Sequence, residues 1–207
     1  MAVEDPIADA LLGESAYERL QAERHTLFQQ SIARKLTWES YLLLSLAALY
    51  PTLAALPSAV RESYFAGGVA FSAPKVAFVG LVAVALLSLT GVGHAVVGIR
   101  RLRLGRSMNE TQARELLNAE AVCSLLGFVT GGFATAMTQV FVLLGFGGVK
   151  TVEGYVAAGG DNPFAQAGLG VNVVEVSVLA LVFGICLLIL AATLSVEATV
   201  RGFEREL

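Results

Sequence analysis

Charged side chains drop out of this chain over four long stretches. There are 21 uncharged positions between Glu39 and Arg61 (40–60) and 24 between Lys75 and Arg100 (76–99). Another 29 lie between Glu120 and Lys150 (121–149), and 21 between Glu175 and Glu197 (176–196). A helix of about 20 apolar residues crosses the roughly 30 Å of hydrocarbon in a bilayer. Backbone groups left unpaired in lipid are costly, so each run is predicted to be helical. The runs are too long for barrel strands of about ten residues, and they do not alternate. The pattern predicts an all-α integral membrane protein with four transmembrane helices in a bundle. The spans are placed at about 38–56, 76–99, 116–144 and 173–200, within a transmembrane domain covering 38–200. Trp38 marks the interface, Pro51 predicts a kink in the first span, and Pro57 predicts its end. The Gly145-Phe146-Gly147-Gly148 run predicts the end of the third.

The segments between the spans set the topology. Arg19, Arg24, Arg34 and Lys35 precede the first span. Arg100, Arg101, Arg103, Arg106 and Arg114 lie between the second and third, and Arg201 and Arg205 follow the fourth. Only Arg61, Lys75 and Lys150 fall on the other side. The positive-inside rule then places both termini in the cytoplasm of a cell membrane, with 201–207 as a cytoplasmic tail. Residues 1–37 form a cytoplasmic region. Its 14–36 stretch lacks Gly and Pro and puts Tyr17, Leu20, Leu27, Phe28 and Ser31 roughly on one face. This predicts an amphipathic cytoplasmic helix leading into the bundle. Ser107 with Glu110, or Asn109 with Gln112, has the spacing of a capping box. The third helix is therefore expected to begin about two turns before the membrane.

Each loop on the opposite side carries a tyrosine followed by a glycine pair, Tyr64 with Gly67-Gly68 and Tyr155 with Gly159-Gly160. This suggests a weak parallel repeat of two halves, though the spacing differs between them. Phe residues in these loops are expected to dip into the interface. Asn172 and Glu175 are within reach of Asp161 and Lys150.

Composition agrees with the span pattern. The chain has 207 residues, of which 56% are hydrophobic and 15% charged. Soluble domains average about 25% charged. Fourteen basic and seventeen acidic residues give a net charge of −3, which disfavours a nucleic-acid partner. Cys123 and Cys186 lie inside apolar runs and form no metal or disulfide spacing. The acidic start MAVEDPIADALLGES has no apolar core of a signal peptide.

Candidate chemistry is sparse. His94 is the one ionisable residue wholly inside a charge-free run. Judged by its distance from flanking arginines, it lies at a depth similar to Glu120 and Glu197, so the three could form an ion or proton relay at the cytoplasmic end. In the third span, Thr130, Thr135, Thr138 and Gln139 offer a polar path. Gly127 with Gly131, and Gly132 with Ala136, are small-xxx-small pairs for helix packing. They nominate the third helix as the centre of the bundle and leave the bulky fourth facing lipid or another subunit. The second histidine, His25, lies outside the spans, so no haem is expected. No catalytic residues, metal ligands or cofactors are identified, and the leaning is against an enzyme. The leading expectation is a non-catalytic multi-pass subunit in a homo- or hetero-oligomeric membrane complex, with lipid and itself or other membrane proteins as partners. The alternative is a small proton or cation channel or transporter using the His/Glu cluster.

Overall fold

The computed structural model describes Tyr17, Leu20, Gln21, Phe28 and residues 30–200 apart from Leu169. Most of the expected amphipathic helix over 14–36 and the 201–207 tail therefore lie outside the described residues. Within them the chain is helical and contains no strand. Helix α1 (Ile32–Ala47) is capped by Ser31, whose hydroxyl accepts from the Arg34 amide at 3.3 Å. It breaks at Ala48 and resumes as α2 (Leu49–Ala54). The break lies one turn before Pro51, where a proline lacks the amide and crowds the carbonyl of Ala47. Pro57 then caps α3 (Ser58–Tyr64), which is bent 97° from the helix before it.

Helix α4 (Lys75–Leu104) runs for 30 residues and ends at Gly105, whose φ of 52° suits glycine. After a 3₁₀ turn, α5 (Glu110–Ser124) continues through a π-helical segment (Leu125–Gly131) into α6 (Gly132–Phe146). Asn109 and Gln112 form the capping box at 2.9 and 3.2 Å, whereas Ser107 donates instead to the Leu104 carbonyl. Gly148, with φ 85°, separates α6 from the short α7 (Val149–Ala157). Helix α8 (Val173–Val200) is also opened by a reciprocal pair, Asn172 with Glu175, both bonds at 3.0 Å. Three helices are long and apolar enough to cross a membrane: Lys75–Leu104, Glu110–Phe146 and Val173–Val200. A fourth is added if the bent pair Ile32–Ala54 and Ser58–Tyr64 counts as one span.

Helix α1 starts at Ile32, which brings Lys35 and Glu39 inside it. The third long helix begins at Glu110, directly after the Asn109 box, and runs to Phe146.

The centre of the bundle is α4, not the third helix. Half of α4's apolar window is buried, against 28% for the α5–α6 helix. The reason is where the small residues point. On α4 a side chain at Gly80 would touch Leu49, Thr138 and Val176 from three other helices, and Gly98 faces both Leu194 and Ile32. On the third helix Gly127 and Gly131 are buried, but Gly132 is half-buried and Ala136 is exposed. Helix α8 packs chiefly along α1 and leaves most of its apolar surface outward.

The end of the bundle away from the arginines is closed by its two loops. Backbone bonds join Lys75 to Ala165, Val76 to Pro163 and Ala167 to Ala73, each at 2.7–2.8 Å. Phe164 is buried with its ring 5.7 Å from those of both Tyr64 and Phe65. Phe65 and Phe164 therefore fill this cap rather than reach outward, although Phe71 is exposed. Asp161 pairs with Lys75 at 2.6 Å and not with Asn172 or Glu175, which cap each other.

Candidate functional site: a buried ionic ladder

At the arginine-rich end, helical spacing lines up polar side chains on three facing helices. Lys35 and Glu39 are four apart on α1, and Glu120 and Ser124 are four apart on α5. Residues at i and i+4 share a face, with about 6 Å of rise between them. On α4, His94 and Arg101 are seven apart, two turns along one side. The result is two rungs.

The rung nearer the arginines is an ion pair of Lys35 Nζ and Glu120 Oε1 at 2.5 Å. Tyr17 donates its hydroxyl to the other oxygen, Oε2. The Arg101 guanidinium lies over the Tyr17 ring, 4.1 Å from its centroid. The second rung joins Glu39, His94 and Ser124. Both Glu39 oxygens face His94 Nδ1, at 3.1 and 3.2 Å, and His94 Nε2 is 3.0 Å from Ser124 Oγ. Because a carboxylate only accepts, the proton belongs on Nδ1. Ser124 can donate to a neutral Nε2 or accept from a protonated one, so the ring has a partner in either state.

All seven side chains are buried; His94 and Glu39 have no exposure, and Arg101 has the most, at 6%. Among the described residues the cluster holds two carboxyl groups, one lysine, one arginine and one imidazole. The space for it depends on Gly127, where a Cβ would lie 2.5 Å from Glu39 Oε1 and 2.7 Å from Thr90 Oγ1. Gly127 belongs to the π-helical segment that starts directly after Ser124. Such segments often mark functional positions in helices. The His94 ring also faces Phe128, which stacks on Phe28 at 5.3 Å.

Burial, and then the Glu120 carboxylate, push the Tyr17 phenol well above its ordinary value of 10.0. It is therefore a neutral donor at physiological pH. A folded-state value raised above the unfolded one adds stability below pH 10.0, and that stability is lost as pH rises through the folded value. Stability is expected to fall with pH above about 10 in the native chain, since tyrosine is unperturbed in the unfolded chain. Tyr17→Phe should flatten that slope. An unchanged slope in an alkaline unfolding series would contradict this placement of Tyr17.

The residues read from sequence are only partly brought together. His94 and Glu120 belong to one cluster, but Glu39 and Ser124 occupy both nitrogens of His94. Neither Glu120 nor Glu197 is a partner of the ring. Glu197 is half-buried on α8. The proposed polar path does not share one face. Thr130 is exposed, and it bonds the Leu126 carbonyl. Thr135 and Thr138 are buried and donate to carbonyls of their own helix, while Gln139 donates to Ser45 O at 2.9 Å. Gly131 sits against Leu87 inside the chain, so its small size serves packing within one copy. His25 lies outside the described residues.

Sequence reading missed Lys35, Glu39, Ser124, Tyr17 and Arg101. The available signal was the paired i, i+4 spacing of Lys35/Glu39 and Glu120/Ser124, on helices expected to be neighbours. The order carboxylate–Nδ1, Nε2–hydroxyl is that of a serine–histidine–acid triad. However, Ser124 is only 1% exposed, so a substrate carbonyl has no approach to its oxygen in this conformation. What the arrangement can do is hold segments together and accommodate a proton. Compared with known proteins, the chain matches no family model, no curated protein and no solved structure.

Proposed function

We propose that the protein is a non-catalytic, multi-pass membrane subunit: a four-span bundle with both termini in the cytoplasm, entered through an amphipathic amino-terminal helix. In this reading the ladder fastens the cytoplasmic segment carrying Tyr17 to the membrane domain, so that a partner bound to that segment is held against the bundle. The observation that supports it is the sealing of the ladder. Its members are buried on all sides, and Leu43, Leu46 and Leu87, none of them exposed, fill the next turns of α1 and α4 toward the other end. A sealed cluster fastens elements better than it conducts. Replacing a buried ion pair by apolar residues is often neutral or stabilising, so stability alone does not account for keeping one in a membrane bundle.

The test is the mass of the complex extracted from native membranes, with its co-purifying chains identified. A defined homo- or hetero-oligomer is expected. A monodisperse monomer would overturn the subunit reading.

A second reading, a proton channel or transporter, is supported by the placement of His94 between a carboxylate and a hydroxyl. It is supported also by the Ser40 and Ser88 hydroxyls, which are buried without a hydrogen-bond partner. In liposomes under a proton gradient, the subunit reading expects no flux above empty vesicles. Flux that disappears in His94→Leu would replace it with the second reading, whereas flux unaffected by that change would count against His94 in either.

A further inference from the structure

A groove of about 570 Å³ runs between α4 and α5 at the arginine-rich end. One end lies at Gly93 and Cys123, where a side chain on Gly93 would run into the Cys123 sulfur. From there Val96 and Ala119 form apolar walls, and Arg100, Arg103, Gln112 and Glu115 form the mouth. The surrounding surface is apolar and outward, with Val92, Val96 and Val122 each about half exposed, so the groove opens where hydrocarbon would lie. Arg100 and Arg103 are three apart on one helix face and exposed, and neither forms a salt bridge among the described residues.

We propose that this groove binds one glycerophospholipid, monoanionic and with hydroxyls on its headgroup. The argument is charge and shape. Guanidinium groups take phosphate oxygens in pairs, which a lysine does not. Two arginines and Glu115 give the mouth one net positive charge, which complements a single net negative charge. Glu115 is an acceptor at the same mouth, suited to a headgroup hydroxyl. An acyl chain continues along Val96 and Ala119 to the closed end at Gly93 and Cys123. Those two residues directly precede His94 and Ser124 in the chain, so the lipid tail ends beside the second rung of the ladder. Arginines that served only to orient the chain in the membrane would need no groove of this kind.

The experiment titrates the full chain in detergent with phosphatidylglycerol and follows its Tm. A rise is expected with phosphatidylglycerol, and none with phosphatidylcholine, phosphatidylethanolamine or glycerol phosphate without tails. The double variant Arg100→Gln/Arg103→Gln should keep the lipid-free Tm, because both side chains are exposed, and lose the rise. Val96→Trp, which fills the groove without changing charge, should lose it as well. An equal rise with a zwitterionic lipid, a rise with glycerol phosphate alone, no rise at all, or a rise that survives in both variants would overturn the proposal.

Discussion

Glu120→Ala is expected to destabilise the protein by about 3–5 kcal/mol, because it leaves the Lys35 ammonium buried and uncompensated. It also removes the acceptor of the Tyr17 hydroxyl, so the segment carrying Tyr17 should loosen along with the bundle. The physical argument makes a second, opposite demand. If the cost comes from the abandoned charge, removing both partners must restore stability. Lys35→Met/Glu120→Met should therefore unfold near the native value or above it, although it lacks the ion pair altogether. Unfolding free energies in detergent for Lys35→Met, Glu120→Met and the double form a cycle that isolates the coupling. A single variant within about 1 kcal/mol of the native chain would mean that the pair behaves like one on a wet surface. The sealed ladder would then be wrong.

The second large effect is expected at a glycine. Gly127→Ala should cost about 1–3 kcal/mol, the usual range for forcing a methyl group into a filled site. Its new carbon would meet both Glu39 Oε1 and Thr90 Oγ1. The carboxylate must move, and its bonds to His94 lengthen. Gly132→Ala is the control: nothing but the helix's own backbone and Leu42, at 3.9 Å, lies near it. It should be neutral or slightly stabilising, since alanine favours helix over glycine by up to about 1 kcal/mol. The two variants differ by five positions in one helix, so equal unfolding free energies would contradict the assigned role of Gly127. The His94 side-chain chemical shift gives an independent reading, and it should change in Gly127→Ala alone.

These two glycines show what kind of information a sequence pattern carries. Small-xxx-small spacing marked Gly127, Gly131, Gly132 and Ala136 equally as places where helices approach. In the structure Gly131 does meet a neighbouring helix, through Leu87, but Gly127 makes room for a carboxylate and Ala136 faces outward. The spacing identifies two stripes on one helix, and which stripe turns inward depends on where the other helices are. The π-helical segment shifts that phase further, and nothing in its sequence, LLGFVTG, announces it.

The same division runs through the site. His94 was legible because a lone ionisable residue in an apolar run is costly wherever it sits. Its partner was not, because depth counted from flanking arginines gives one coordinate only. Glu120 and Glu197 matched His94 in depth, and so did Glu39, which counted merely as the edge of a span. Once α1 is seen to begin at Ile32, Glu39 becomes an interior residue one turn beyond Lys35.

By itself the sequence determined the quantities that depend on neighbours a few residues away. Charge-free runs marked the three helices long and apolar enough to cross a membrane and the bent first one. The Asn109–Gln112 box and the glycines at 105 and 148 set helix ends, and Pro51 set the break in the first. The tertiary structure decided which charges meet. Glu39 and His94 are 55 positions apart, Lys35 and Glu120 are 85, and Tyr17 and Glu120 are 103. Such pairs form only after helices have chosen their rotation and order, which apolar packing of the whole bundle fixes. The cost of burying each charge is local and can be read from the chain, but the compensation comes from another helix.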